Sequence, residues 1–338
     1  MTATGTVHIV SVGLSLFGNL RAGTARLTER HRLDREVAES IRALRERLHD
    51  EQDAYAHPSD ERDRQAEWLA RAVAEGDEAR AEFAALLREV RVEEWKPGLS
   101  AELSALAAYL GRADGGQGKG VCVLPAEDTA VLIASDTGPG LRAALVNAAA
   151  MAGGDLGRVH YLHDPSDAVA SLDGAVVIVR VPGLDAGNTA GFIEAMRNLG
   201  GVGRGVRRLA ERAGASGAGE RVVRFHTSGG FKGALPFLLG MAEALRSILG
   251  PRMVKAYAVH ELSSASAVEL PLRSFHREFL GRQFKGVERG DGVFRTEPPD
   301  GKPLQGFAYD FDGDRREWRL TPFGYALNEM LPEAAKEP

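Results

Sequence analysis

The sequence contains a single cysteine, Cys122, among its 338 residues. One thiol excludes an intrachain disulfide and a metal site built from several cysteines. No apolar run reaches the roughly 18 residues that a membrane-spanning helix needs. The apolar start at 7–16 has no basic residues before it, so it predicts a first strand rather than a signal peptide. These absences favour a cytoplasmic protein without a membrane segment.

An excess of positive charge is also absent. The chain has 42 Lys and Arg against 47 Asp and Glu, which gives a net charge of −5 and a pI of about 6.0. Non-specific nucleic-acid binding needs many basic side chains against phosphates, so a chain coated in nucleic acid is disfavoured. A small anionic ligand stays compatible with this charge, because it needs only a locally positive pocket.

The sequence does contain a regular alternation of strand and helix patterns. This alternation predicts an α/β fold with a doubly wound, mostly parallel, Rossmann-like sheet. Residues 27–112 have helical periodicity and predict a helical insertion at about 22–118, between the first and second strands. Short β-rich runs lie at 7–12, 129–134, 159–162, 175–179, 222–225 and 254–259, and 121–124 is predicted as a strand edge.

The last part of the chain has a different pattern. A helix is predicted at 274–284, a hairpin at 307–311 and 317–320, and a final helix capped by Thr321. This order predicts a winged-helix-like domain at 272–338, after a first domain at 1–271. We expect removal of the C-terminal domain to leave ligand binding by the first domain largely intact. Arg315, Arg316 and Arg319 keep DNA binding open, whereas the acidic turn and the net charge weaken it.

Several familiar catalytic motifs fail by one or more residues. The glycines around Lys119 lack the Ser or Thr of a phosphate-binding P-loop. Ser264 stands where a zinc protease needs its second histidine, and Arg315 replaces the turn glycine of a calcium loop. We therefore predict no metal site and no cofactor.

Two glycine-containing stretches follow predicted strands, at 13–19 and 226–232. Ligands of doubly wound sheets bind beyond the carboxyl ends of the strands, where both stretches should lie. Consecutive small residues at 228–230 expose backbone N–H groups before a predicted helix, and Lys232 adds a positive charge. The pattern fits phosphate binding about as well as a tight Gly-Gly turn followed by a surface lysine.

With these and other short motifs in the same order along the chain, the sequence resembles the CRISPR-associated Rossmann fold (CARF) family of type III CRISPR systems, and in particular its ring-nuclease branch. The similarity covers most of 7–272, but His226 stands where an Asn is usual and Ser228 replaces Thr. The similar motifs are Gly13-x-Ser15-Leu16-x-x-Asn19, Ser100-Ala101-Glu102-Leu103, Ser135-Asp136-Thr137-x-x-Gly140, Val181-Pro182-Gly183-Leu184, Ser228-Gly229-Gly230-Phe231-Lys232 and His260-Glu261 with Leu270-Pro271.

The resemblance implies a homodimer that binds a cyclic tetra- or hexa-adenylate across its twofold axis. It also implies metal-independent cleavage, in which a ribose 2′-OH attacks the adjacent phosphate and leaves a 2′,3′-cyclic phosphate. Ser15 and Lys232 are then the expected catalytic residues, with no evident general base. The expected ligand-binding residues are Gly13, Leu16, Asn19, Asp136, Thr137, His226, Ser228, Gly229, Gly230 and Phe231.

Two other functions stay open. In one, the chain senses the cyclic oligoadenylate without cleaving it, and its C-terminal domain regulates transcription. In the other, that domain is an effector nuclease. Incubation of the protein with cyclic oligoadenylates in the absence of metal discriminates between cleavage and sensing.

Overall fold

A seven-stranded sheet lies at the centre of the computed structural model of the chain. Its strand order is β3-β4-β2-β1-β5-β6-β7, and every neighbouring pair is parallel except β6 and β7. The structure describes residues 5–20, 35, 36, 38, 39, 59–113, 122–163, 169, 171–184, 191–215, 221–230, 232–260, 263–287, 292–294, 296–298 and 302–331.

The predicted mixed α/β fold with a mostly parallel sheet is confirmed. The inner strands β2 and β4 are buried along their whole length, as their continuous apolar sequences require. The antiparallel strand β7 was not predicted. The strands are β1 Thr6–Ser11, β2 Thr129–Ala134, β3 Val159–Leu162, β4 Val176–Arg180, β5 Val222–His226, β6 Val254–His260 and β7 Ser263–Leu270.

Helices cover both faces of the sheet. Successive strand residues point to opposite faces, so Val10 packs with α2–α5 whereas Ile9 packs with α6, α7 and α9. The helices are α1 Ser15–Leu20, α2 Ser59–Val73, α3 Glu78–Glu89, α4 Ala101–Ala113, α5 Gly138–Met151, α6 Phe192–Ala215, α7 Leu235–Leu249, α8 Arg277–Gln283 and α9 Pro322–Met330. No helix in these described ranges is long and apolar enough to cross a membrane.

The predicted helical insertion is described only in part. Helices α2, α3 and α4 lie between β1 and β2, as the periodicity indicates. Residues 21–34, 37, 40–58 and 114–121 lie outside the described residues. The strand edge predicted at 121–124 is wrong where it is described: 122–124 belong to no strand, and Leu124 N donates instead to Met151 O at 2.7 Å. Burial raises the pKa of the Cys122 thiol to about 12, so this thiol stays protonated in the core.

The C-terminal region shares a hydrophobic core with the sheet. The predicted hairpin is present as β8 (Tyr309–Asp312) and β9 (Glu317–Leu320), and Thr321 Oγ1 caps α9 by accepting from Gly324 N at 3.1 Å. Phe323, Leu327 and Met330 of α9 are buried against α6 and α7. A separate winged-helix domain stays a prediction.

Glycine at position 200 permits the close approach of α9 to α6. A Cβ atom on Gly200 would lie 2.6 Å from Ala326 O and 2.9 Å from Ala326 Cα. Because both obstacles are backbone atoms, we expect Gly200→Ala to destabilise the fold by about 1–3 kcal/mol, despite the better helix propensity of alanine. Urea unfolding measures this change. Gly313→Ala is the control, since a Cβ on Gly313 meets nothing within 4 Å; equal stability of the two variants would contradict the packing argument.

Candidate functional site

The two glycine-containing loops meet beyond the carboxyl ends of β1 and β5. β1 pairs with β2 on one side and with β5 on the other, so the chain connections diverge between β1 and β5. Such a divergence leaves the crevice in which doubly wound sheets bind their ligands. A Cβ on Gly13 would lie 2.7 Å from Gly230 N, and Gly230 itself has a φ of +94°. Both positions therefore require glycine.

Ser11 holds the second loop in place. Its hydroxyl donates to Gly229 O at 2.6 Å, at the end of β1. None of the described residues accepts a hydrogen bond from the backbone N–H groups of Ser228, Gly229 and Gly230. Three successive unpaired N–H groups are a feature of loops that bind anions.

A carboxylate that was not predicted to belong to the site lies at the junction of the loops. Glu102, in the first turn of α4, is fully buried. Its Oε1 accepts from Gly13 N at 2.7 Å, and its Oε2 accepts from the Ser15 hydroxyl at 2.9 Å. A Cβ on Gly229 would lie 2.7 Å from Glu102 Cδ, so the second loop also packs against this carboxyl group. Burial raises the pKa of Glu102, although its hydrogen bonds oppose the shift.

Ser15, Leu16 and Asn19 of the first loop contact the protein interior. The Ser15 hydroxyl also accepts from Ala101 N at 3.0 Å, and the Leu16 side chain lies in the core. Asn19 Nδ2 donates to Leu99 O at 3.0 Å. Ser15 is half-buried and keeps one lone pair for a ligand.

Asp136 and Thr137 of the third motif have structural partners. Asp136 is buried and accepts from Arg180 Nε at 2.7 Å and from Gly183 N at 3.1 Å. The Thr137 hydroxyl accepts from Gly140 N at 3.1 Å and caps α5. The same contacts join the third motif to the Pro182-Gly183 turn of the fourth.

The remaining predicted residues lie on the β5–α7 connection. Ser228 Oγ accepts from Val259 N at 2.7 Å and so links the connection to β6. Lys232 is exposed and forms no ion pair with another described residue. Phe231 lies outside the described residues.

The His226 side chain points into the sheet face beneath α4 rather than to the loop. Its Nε2 lies 2.9 Å from His8 Nδ1, and His8 Nε2 lies 3.2 Å from Asp128 Oδ2. If the Asp128 carboxylate accepts from His8 Nε2–H, then His8 Nδ1 must accept from His226 Nε2–H. His226 Nδ1 is then a buried acceptor, and no described group donates to it. Burial holds the pKa of His226 well below its usual value and lowers that of His8.

The buried histidines make stability depend on pH. Below about pH 6.5 the unfolded chain binds more protons at these positions than the folded chain does, so stability falls as the pH falls. Each histidine contributes a slope of up to about 1.4 kcal/mol per pH unit. We expect His226→Asn to remove one such contribution between pH 6.5 and 5.5, as measured by urea unfolding. His276→Asn, at an exposed position, is the control and should keep the wild-type slope; an unchanged slope in His226→Asn would show that His226 accepts a proton in the fold.

No protein-family model matches the chain, and no curated protein sequence matches it. Within the described ranges, no group of three or more His, Cys, Asp or Glu is arranged to hold a metal ion. Any assignment of function therefore depends on the loops themselves.

Proposed function

We propose that the chain binds a cyclic oligoadenylate second messenger, in the manner of the CARF proteins that its motifs resemble, and cleaves it without a metal ion. The observation that carries this proposal is the contact between the Gly13 and Gly230 loops in the crevice between β1 and β5. Two motifs that are 217 residues apart in the sequence thereby form one site. We include in the proposal a Rossmann-like CARF domain at 1–271 and a winged-helix-like domain at 272–338 that packs on it through a shared hydrophobic core.

The β5–α7 loop suits a phosphate. Its unpaired N–H groups at 228–230 can donate to phosphate oxygens. The loop packs so closely on Ser11 and Glu102 that a Cβ at position 229 or 230 would collide with them, so both positions need glycine. Lys232 follows at the start of the turn that leads into α7, and adds one full positive charge. A cyclic oligoadenylate presents one phosphate per nucleotide, so a symmetric pair of such loops fits a symmetric ring.

The proposed reaction needs positioning and charge stabilisation. The ribose 2′-oxygen must be held in line with the P–O5′ bond, and charge on the phosphoryl oxygens must be offset. Ser15 can accept from the 2′-OH through its remaining lone pair, and Lys232 can interact with the phosphoryl oxygens. The products are a 2′,3′-cyclic phosphate and a free 5′-OH.

A homodimer follows from the symmetry of the ligand. A twofold interface presents the same loops to opposite halves of the ring, so one ring per two chains is expected.

One observation favours sensing without cleavage. The Ser15 hydroxyl proton is already donated to Glu102, and Asn19, Asp136 and Thr137 are engaged in the protein interior. A site with so few free side chains can bind a ring through backbone groups and still lack catalysis. In that case the C-terminal region carries the output as a regulator or effector.

The test combines calorimetry with chromatography. Purified protein is titrated with cyclic tetra-adenylate or cyclic hexa-adenylate, with linear tetra-adenylate as the control, and the mixtures are then incubated in EDTA. We expect one ring per two chains and a cyclic-phosphate product. Binding without product supports the sensor, and the absence of binding to both rings overturns the proposal.

A further inference from the structure

Glu102 is an anionic group with no role in the reaction as proposed so far. It is fully buried at the start of α4, and it is the acceptor for the hydroxyl proton of Ser15. A fully buried carboxyl group is costly to desolvate, and Gly13 N and Ser15 Oγ supply hydrogen bonds to its two oxygens. Both oxygens accept, so these contacts select the ionised carboxylate: an amide has a single acceptor oxygen, and its NH2 group would have to donate to Ser15 instead.

We propose that Glu102 acts through Ser15 as the proton acceptor for the 2′-OH of the bound cyclic oligoadenylate. This inference rests on the proposed function. In this arrangement Glu102 is a positioning residue that does not touch the ring. The relay also gives the proton of the attacking 2′-OH an acceptor, which the sequence motifs alone do not provide.

The route follows from the geometry of the Ser15 hydroxyl. Ser15 donates to Glu102 Oε2 at 2.9 Å and accepts from Ala101 N at 3.0 Å. These two hydrogen bonds fix the hydroxyl and leave one lone pair to accept a hydrogen bond from the 2′-OH. As the 2′-O–H bond breaks, its proton moves to Ser15 Oγ, and the Ser15 proton moves to Glu102 Oε2. The 2′-oxygen forms a bond to phosphorus, the P–O5′ bond breaks, and the O5′ atom takes a proton from water. Glu102 then releases its proton to solvent.

The surroundings of Glu102 suit a proton acceptor. The groups that face it are the Gly13 amide and the Ser15 hydroxyl from the β1–α1 connection, the Ser100 hydroxyl at the start of its own helix, and the Gly229 backbone from the β5–α7 connection. None of these groups titrates near neutral pH. Burial raises the pKa of Glu102 towards the working pH, which strengthens it as a base.

The test compares the pH profiles of wild type and Glu102→Gln. The glutamine oxygen can still accept from Gly13 N, so ring binding should stay close to that of wild type. For wild type we expect a single-turnover rate that rises with pH and reaches a plateau once Glu102 is ionised. For Glu102→Gln we expect a single-turnover rate that is lower than that of wild type by about 100-fold or more. The rate of this variant should rise in proportion to the hydroxide concentration and reach no plateau. Glu243→Gln removes a buried carboxylate on α7 that pairs with Arg273, and serves as the control.

A second measurement does not depend on cleavage. In ¹³C NMR of carboxyl-labelled glutamate, the resonance that is missing in Glu102→Gln should titrate above the ordinary glutamate range. Ser15→Ala should move that titration to still higher pH, because the Ser15 hydrogen bond lowers the pKa of Glu102. A carboxyl titration that Ser15→Ala leaves unmoved would overturn the coupling.

The outcomes separate the two proposals. If Glu102→Gln binds and cleaves the ring with the wild-type pH profile, the relay is wrong while the proposed function stands. If wild type binds the ring but does not cleave it, the relay and the nuclease fall together and ring binding stands. If wild type does not bind the ring, the proposed function itself is overturned, and the relay with it.

Discussion

Lys232→Ala is expected to slow the cleavage of cyclic tetra-adenylate by about 100-fold or more, as for the loss of one oxyanion donor. Lys232 is exposed, has no described ion-pair partner, and follows the three unpaired N–H groups of the β5–α7 loop. Its charge is therefore available to a phosphate. Binding should weaken as well, because part of the phosphate charge is already present in the ground state.

Single-turnover chromatography and calorimetry measure the two effects separately. Lys255→Ala is the matched control: Lys255 lies on β6 and pairs with Glu269 at 3.0 Å, at a distance along the sheet from the loops. We expect this variant to bind and cleave like wild type. Equal loss in both lysine variants would indicate a general effect of net charge, and wild-type cleavage by Lys232→Ala would remove Lys232 from the active site.

The glycine loops could be predicted from the sequence because their signals are local. A strand pattern that ends at Gly13, and another that ends at Phe225 and is followed by Gly229 and Gly230, each predict a turn, and a parallel sheet brings the ends of its strands to one edge. The contact between Gly13 and Gly230 confirms that the two turns meet. The pairing of β1 with β5, which creates this contact, has no local signal.

Glu102 and His8 were missed for the same reason. Each lies in a pattern that looks ordinary in sequence, a glutamate in the first turn of a helix and a polar residue in a strand. Their partners, Ser15 and His226, are 87 and 218 residues away, so only the folded chain shows the hydrogen bonds. The available signals for Glu102 were its place in the Ser100-Ala101-Glu102-Leu103 motif and its position on an otherwise apolar helix face. His226, in turn, has the right position next to the loop but points into the sheet face, because side chains alternate along β5.

The C-terminal helix shows a further limit of sequence patterns. The order helix, hairpin, helix was predicted within 272–338 and is present, yet order alone does not show which surfaces the elements cover. Phe323 lies against Gly240, where a Cβ would be 2.5 Å from the phenyl ring, and Glu329 pairs with Arg204 of α6 at 2.7 Å. These contacts argue against the prediction that removal of 272–338 leaves ligand binding largely intact.

A truncation after Thr321, which removes α9, is expected to abolish cooperative folding of the chain. Phe323, Leu327 and Met330 are buried against α6 and α7. At about 1.5–3 kcal/mol for each large apolar side chain, their loss removes on the order of 5–9 kcal/mol. Whole domains are stable by only about 5–15 kcal/mol. The truncation also exposes the apolar surfaces of both helices, which favours aggregation.

Circular dichroism during thermal unfolding, together with light scattering, measures this loss. A truncation after Leu331 keeps all of α9 and is the control, which we expect to unfold cooperatively. Leu327→Ala provides a graded version, with an expected loss of about 2–5 kcal/mol. If the chain that ends at Thr321 unfolds with a wild-type midpoint and still binds the ring, the C-terminal region is an independent domain. If it fails to fold while the longer truncation folds, α9 belongs to the core that positions the β5–α7 loop, because α7 begins at that loop and packs on α9.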